Sequence, residues 1–358
     1  MENLWSDKEA ESYIDQFTTS EVNQDVALRV YTSRLLGGEP KLVLHGGGNT
    51  SVKTTMPDML GQDTDVLCVK GSGWDLGDIE PPGLPAVRLE PIRQLAELST
   101  LSDGGMINAQ RINLLDASAP NPSVETLLHA FLPHKFVDHT HANAVLALTD
   151  QKGGDDICRE VFGDRMGYVP YIMPGFALAK KAKEVFEQDT DVEGLILLKH
   201  GIFSFGETAQ ESYERMIEMV SRAEAEIEKR KSCNFSSVEI PTQLASVSQI
   251  APILRGLCAV ETDTGTQRLV MEFRTNEVIL NYALDANVSR FSQQGTVTPD
   301  HVIRTKPNPL ITPAPEYGKL EEFTAGARAA VENYIAEYHA YFARNNKRQA
   351  VSKTELDP

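Results

Sequence analysis

Three histidines, His139, His141 and His200, are the side chains whose types and spacing most readily do chemistry. His139 and His141 fall inside Phe136–Leu148, which reads as a strand because Val137, Val145 and Leu146 accompany a short-period pattern. Side chains two apart on a strand project the same way, with α-carbons roughly 6–7 Å apart, so two imidazoles at this spacing can converge on one ion. A solvated strand face would carry the same pair, and a third ligand is needed to decide. His200 offers it: the apolar run Gly194–Leu198 precedes it, and Gly201, where backbone can approach closely, follows. Three imidazoles with an open fourth position form a catalytic zinc pattern, whereas structural zinc sites are usually closed by cysteines. Ligand type also admits manganese or cobalt.

The elements that must position these groups can be read outward from them. Pro122 and Ser123 predict a helix start, with Ser123 as N-cap and Val124, Leu127, Leu128 and Phe131 at helical spacing, until Pro133 ends it. Glu125 then sits in the first turn, where a carboxylate complements the helix dipole. Upstream, Lys41–Leu44 predicts a short strand delivering His45 and the glycines 46–48. Consecutive glycines adopt unusual backbone angles and let amides approach a ligand oxygen. A second strand from Val66 ends in Gly71, Ser72 and Gly73. Neither loop has the spacing of a Walker or dinucleotide-binding motif. Lys53 and Lys70 read as solvated strand-end charges or as phosphate partners. A Schiff-base role needs a lysine of lowered pKa in a pocket, and nothing in the sequence shows one. His45 could bind substrate or its own loop, His129 and His134 read as structural, and His301 and His339 are assigned no chemistry.

Residues 7–36 read as helical and Thr208–Arg230 as a long helix, with Val169–Gly175 leading into a further helix through Phe186. A polar stretch at 232–240 divides the chain into 1–231 and 232–358. Beyond it, Pro241–Cys258 predicts helix, Arg268–Leu284 strand or mixed structure, and Asp300–Pro315 a proline-rich connector. Leu320, Phe323, Ala327, Val331, Tyr334, Tyr338 and Tyr341 then mark an amphipathic helix. The formal charge of -17 over 358 residues disfavours nucleic-acid and anionic-membrane binding. Four widely spaced cysteines suggest neither a disulfide framework nor a cysteine zinc site. No basic leader and no run of roughly 18 apolar residues is present. The expectation is a soluble, cytoplasmic protein.

Taken together, Gly48-Asn-Thr-Ser51, Lys70-Gly-Ser-Gly73, Pro122-Ser-Val-Glu125, Asp138-His-Thr-His141 and Lys199-His-Gly201 resemble, in order and spacing, the class II aldolase/adducin family. The remainder is similar to the longer subgroup with rhamnulose-phosphate aldolase activity, often fused to a short-chain dehydrogenase. This resemblance implies a mixed α/β fold, three-layer α/β/α with a largely antiparallel central sheet, and a smaller C-terminal region. It implies a homo-oligomer, often a tetramer, with sites near subunit contacts. His139, His141 and His200 would hold Zn2+, or Mn2+ or Co2+. Glu125 would be the acid/base, and Asn49, Ser72, Gly73 and Ser123 would contact a substrate phosphate. Val124 stands where many relatives carry a second serine, so one hydroxyl contact is missing. The implied reaction is cleavage of a ketose 1-phosphate to dihydroxyacetone phosphate and a short aldehyde through a metal-stabilised enediolate. A sugar-phosphate 4-epimerase or dehydratase on the same scaffold is the alternative, as is a non-catalytic adducin-like module, which would not need the histidines together with Glu125. The resemblance also implies a tyrosine as acid for the leaving aldehyde, and no candidate stands out.

Overall fold

Strands buried on both faces build the frame of the molecule in the computed structural model, which describes residues 1–19, 22–230, 238–348 and 352–356. Helices α1 (Asp7–Phe17) and α2 (Gln24–Gly37) start at Ser6 and Asn23, whose side chains accept the amides of Glu9 and Val26. There follow β1 (Asn49–Pro57), β2 (Asp63–Val69), β3 (Ala86–Arg88), α3 (Leu89–Gln94), α4 (Asp103–Ile112), α5 (Thr126–Phe131), β4 (Phe136–Thr140), α6 (Asn143–Thr149), α7 (Gly154–Phe162), β5 (Met166–Val169), α8 (Phe176–Gln188), β6 (Gly194–Leu197), β7 (Gly201–Gly206) and α9 (Ala209–Arg230). One sheet takes the seven strands in the order β3-β2-β1-β4-β7-β6-β5. Its pairings are antiparallel except β5 with β6.

Alternation assigns each strand residue to a layer. Leu67, Val69, Val137, Leu195, Leu197, Phe203 and Phe205 pack with Ile92 of α3, Leu127 of α5 and Leu178 of α8. Their neighbours Val66, Cys68 and Phe136 meet Val30 of α2, while Ile196 and Ile202 meet Val145 of α6 and Met216 of α9. The sheet is thus packed on both faces, and helices cover both, giving the expected α/β/α layering with a largely antiparallel sheet.

Several local expectations change. Lys41–Leu44 is not a strand: the amides of Leu42 and Val43 turn back to the carbonyl of Glu39, and the first strand begins only after the glycines. The strand expected to reach Leu148 stops at Thr140. Residues 143–149 form α6 instead, with Val145, Leu146 and Leu148 all buried, because a short apolar run does not by itself distinguish strand from helix. Helix α5 starts at Thr126 rather than at Ser123. A turn precedes it, in which the Ser123 carbonyl accepts the Thr126 amide and its hydroxyl accepts the Glu125 amide at 3.3 Å, so Glu125 lies just ahead of the first helical turn.

The remaining described elements are α10 (Val247–Leu257), the hairpin β8 (Val260–Thr262) and β9 (Gly265–Gln267), α11 (Glu277–Ala283), α12 (Val288–Phe291), α13 (Pro299–Val302) and α14 (Leu320–Asn346). Helix α10 starts later than Pro241, at the Ser246 capping box, and the expected strand after Arg268 is absent up to the start of α11. The predicted linker lies partly outside the described residues. Two compact units result: Met1–Lys231 with Val297–Arg304, and Ser232–Thr296 with Thr305–Pro358. In the second unit α14 packs against α10 and buries Phe323, Ala327 and Val331, a single stripe of the predicted amphipathic helix. Among the described residues no helix is long and apolar enough to cross a membrane.

Candidate metal centre

Strand β4 lies between β1 and β7, and its alternation sends Asp138 and His139 to opposite layers. Asp138 is fully buried, pairs with the Arg29 guanidinium of α2 at 2.5 Å and accepts the Ser212 hydroxyl of α9 at 2.6 Å. That pair anchors the back of β4. On the other face the His139 ring stacks on Phe203, its cross-strand partner, at 4.2 Å and 14°. Its Nδ1 donates to the Ile202 carbonyl at 3.0 Å. His141, predicted within the strand, lies one residue past its end, and its Nδ1 meets Asp300 Oδ1 at 2.5 Å.

His200 is presented by the turn between β6 and β7. Lys199 there has φ of 61°, a left-handed angle uncommon for a residue with a side chain. Gly201 allows the approach expected of it: a Cβ would stand 2.4 Å from the Thr140 carbonyl, 2.9 Å from His139 Cε1 and 3.2 Å from His141 Cδ2. The start of β7 is therefore pressed against both other rings, and only glycine fits.

The three side chains converge, with one ligand atom from each lying within 4.8 Å of the others. His139 Nε2 and His141 Nε2 are 3.1 Å apart. Glu125 Oε2 stands 3.3 Å from His139 Nε2, and its Oε1 stands 3.3 Å from His200 Nε2. The donor set fits a divalent cation on its own hydrogen bonding. The Nδ1 atoms of His139 and His141 face a carbonyl and a carboxylate, which only accept, so in the neutral rings both Nε2 atoms turn lone pairs toward each other. Burial holds His139 well below the ordinary imidazole value, reinforced by the other two histidines, and burial likewise lowers His200, which favours the neutral form of these two rings. Glu125 Oε1 and His200 Nδ1 are buried without a hydrogen-bond partner. Two carboxylates, Glu125 and Asp300, are 7% and 3% exposed beside them. A cation at the convergence satisfies the lone pairs and balances the buried negative charge.

Glu125 is held by a chain of side chains. Asn49 Nδ2 donates to Glu125 Oε2 at 2.7 Å, Asn49 Oδ1 accepts from His129 Nε2, and His129 Nδ1 accepts the Ser51 hydroxyl at 2.8 Å. Burial keeps the His129 pKa well below the usual imidazole range, which suits a neutral ring that donates at one nitrogen and accepts at the other. Asn49, expected at a phosphate, also donates from its amide to Glu125. The strand parity of Asn49 and Ser51, two apart on β1, was the signal that could have revealed this relay.

The two loops of the expected phosphate cradle behave differently. The Ser72 amide donates to Asn121 and the Ser123 amide to the Lys70 carbonyl, at 2.7 and 3.0 Å, which zips the 70–73 loop to the 121–123 segment. Ser72, Gly73 and Ser123 are thereby neighbours, and Gly73 is exposed with φ of 92°. Of the two readings open for Lys70 and Lys53, the solvated strand-end charge holds for neither. Lys70 is 5% exposed, its Nζ donates to the Gly46 carbonyl at 2.7 Å, and burial lowers its pKa to about 8. Lys53 is 8% exposed, donates to the His134 carbonyl at 2.6 Å, and is lowered by burial to about 7. Asp300 carried no local signal, lying 159 residues beyond the histidine it touches in what reads as a proline-rich connector.

Residues 27–227 match the family described as Class II Aldolase and Adducin N-terminal domain, and residues 245–358 match Aldolase class II, second domain. Over 341 residues the chain is 31% identical to the uncharacterized oxidoreductase YuxG of Bacillus subtilis (strain 168), an alignment that takes in 93% of this chain and 49% of that protein. The chain thus spans about half the length of this curated relative. Among solved structures it is similar to the N-terminal class II aldolase domain of a conserved protein from Thermoplasma acidophilum, at 41% identity and a TM-score of 0.56, covering 63% of this chain and 99% of that one.

Proposed function

Because this chain belongs to the class II aldolase/adducin family, we propose that it is a metal-dependent aldehyde-lyase cleaving a ketose 1-phosphate, of the rhamnulose 1-phosphate kind, to dihydroxyacetone phosphate and a short aldehyde. The observation that carries the reading is the convergence of three buried imidazoles, with Glu125 at 3.3 Å from two of them and one of its oxygens buried without a hydrogen-bond partner. His139, His141 and His200 are the ligands in this reading. A divalent ion there, zinc by ligand type with manganese or cobalt as alternatives, supplies Lewis-acid stabilisation of charge developing on substrate oxygens. Glu125 moves the proton: in condensation it takes one from the carbon beside the carbonyl of dihydroxyacetone phosphate, and in cleavage it returns it. Its Oε1 is free to do so while Asn49 fixes Oε2. Ser72, Gly73 and Ser123 bind the phosphate, and Asn49 acts chiefly through Glu125.

The same reading assigns the catalytic domain to 1–231 and an extension to 232–358, and places the enzyme in the cytoplasm as a homo-oligomer, a tetramer on family precedent. The deciding experiment incubates metal-loaded protein with dihydroxyacetone phosphate and a panel of short aldehydes and identifies the products. Carbon–carbon bond formation supports the lyase. Epimerised or dehydrated sugar phosphates without bond formation would move the activity elsewhere in the family, and protein that binds no metal and turns over nothing would leave an adducin-like interaction module.

A further inference from the structure

The proposed ligands differ in how their far nitrogens are held. His139 belongs to β4, stacks on Phe203 and leans on the backbone carbonyl of Ile202, so the sheet itself orients it. His141 stands beyond the end of β4, where no strand partner fixes its backbone. Its Nδ1 instead meets Asp300 Oδ1 at 2.5 Å, and the second oxygen, Oδ2, accepts the Leu44 amide at 2.8 Å. Both carboxylate oxygens are thus engaged, and Asp300 is 3% exposed. The short segment Val297–Arg304 that carries it packs within the same unit as the histidines, and the Arg304 guanidinium ties its end to the His45 carbonyl.

The middle glycine of the 46–48 loop gives independent support. Gly46 and Gly48 have φ of 84° and 58°, angles that favour glycine, but Gly47 has no such angle. What excludes a side chain at 47 is Asp300: a Cβ would stand 1.8 Å from Oδ1 and 2.6 Å from Oδ2. The loop read from the sequence as a phosphate cradle is therefore moulded, at its centre, around this carboxylate.

We propose that Asp300 is a positioning residue for the metal centre, accepting the Nδ1 proton of His141 so that Nε2 presents its lone pair in a fixed direction. The proposal rests on the metal reading of the site. Carboxylates behind metal-bound imidazoles fix tautomer and ring orientation and raise ligand basicity, and their loss typically weakens metal binding by about 10–100-fold. Here the carboxylate comes from a segment far along the chain, so the part of the sequence after 231 contributes directly to the geometry of the site.

The test measures Zn2+ affinity of the full chain by chelator competition, with the visible absorption of the Co2+ form as a probe of ligand geometry, in wild type, Asp300→Asn, Gly47→Ala, His141→Ala and the Asp300→Asn/His141→Ala double variant. Gly47→Ala displaces the carboxylate while leaving Asp300 and every ligand in place, which covers the case in which Asp300→Asn folds poorly. We expect both single variants at 47 and 300 to weaken Zn2+ by about 10–100-fold and to shift the Co2+ bands, and Asp300→Asn to cost little once His141 is gone. Wild-type affinity and spectrum in both would overturn the role of Asp300 alone, as would an undiminished cost of Asp300→Asn in the His141→Ala background. Wild-type protein that takes up no metal would instead sink the reading of the site, and the role of Asp300 with it.

Discussion

Glu125 is the residue on which the proposed chemistry turns, and its surroundings separate proton transfer from metal holding. Asn49 fixes one oxygen, the other lacks a hydrogen-bond partner, and both stand 3.3 Å from an imidazole nitrogen. Glu125→Gln keeps the shape and an acceptor oxygen but removes the base. Turnover should fall by roughly 10²–10⁴-fold while metal content per chain stays the same. Exchange of the carbon-bound proton of dihydroxyacetone phosphate with solvent reports the step without any aldehyde and should collapse in parallel. Exchange at the wild-type rate in metal-loaded Glu125→Gln would show that another group is the base.

Two predictions belong to the elements. The 70–73 loop, zipped to 121–123, sets Ser72 beside the exposed backbone of Gly73. Ser72→Asp would place like charge against a bound phosphate, so KM for a phosphorylated substrate should rise with metal affinity unchanged, and an unaltered KM counts against the cradle. Strand β1 buries Lys53, whose pKa falls to about 7 through desolvation. The unfolded chain then binds more protons than the folded one from about pH 7 up to the ordinary lysine value near 10.4, so this residue makes stability climb with pH across that window. Below the window the cost of burying the ammonium is fully present. Lys53→Met should flatten the climb and stabilise the protein at pH 7 by about 1–3 kcal/mol, read from urea unfolding at pH 7.5 and 9.5. Equal slopes in the two proteins would mean that Lys53 is not the titrating group.

At the scale of the molecule, the metal reading couples the site to global stability. The ligands come from β4, from just past its end and from the β6–β7 turn, with Glu125 ahead of α5 and Asp300 from α13. An ion bound only by the folded chain stabilises it by about 2.7 kcal/mol when free metal is 100 times its dissociation constant. Chelation should therefore lower Tm by several degrees, and added Zn2+ should restore it. A Tm indifferent to both treatments would argue that the five side chains form a purely structural polar cluster.

By itself the sequence determined the groups that act within a few residues of one another. The step of two between His139 and His141, the glycine after His200 and the apolar run before it are local, and local period decides which face a side chain takes. It also carried the family, since five short motifs keep their order along the chain. Tertiary structure decided what depends on chain closure. A strand ending at Thr140 puts His141 where only a distant carboxylate can hold it, and nothing near Asp300 signals a contact 159 residues away. Asn49 reaches Glu125 because β1 pairs with β4 in the register that sets Asn49 opposite His139. The burial of Lys53 and Lys70 was not legible because burial is a property of what packs over a residue, and no pattern along the chain reports that covering.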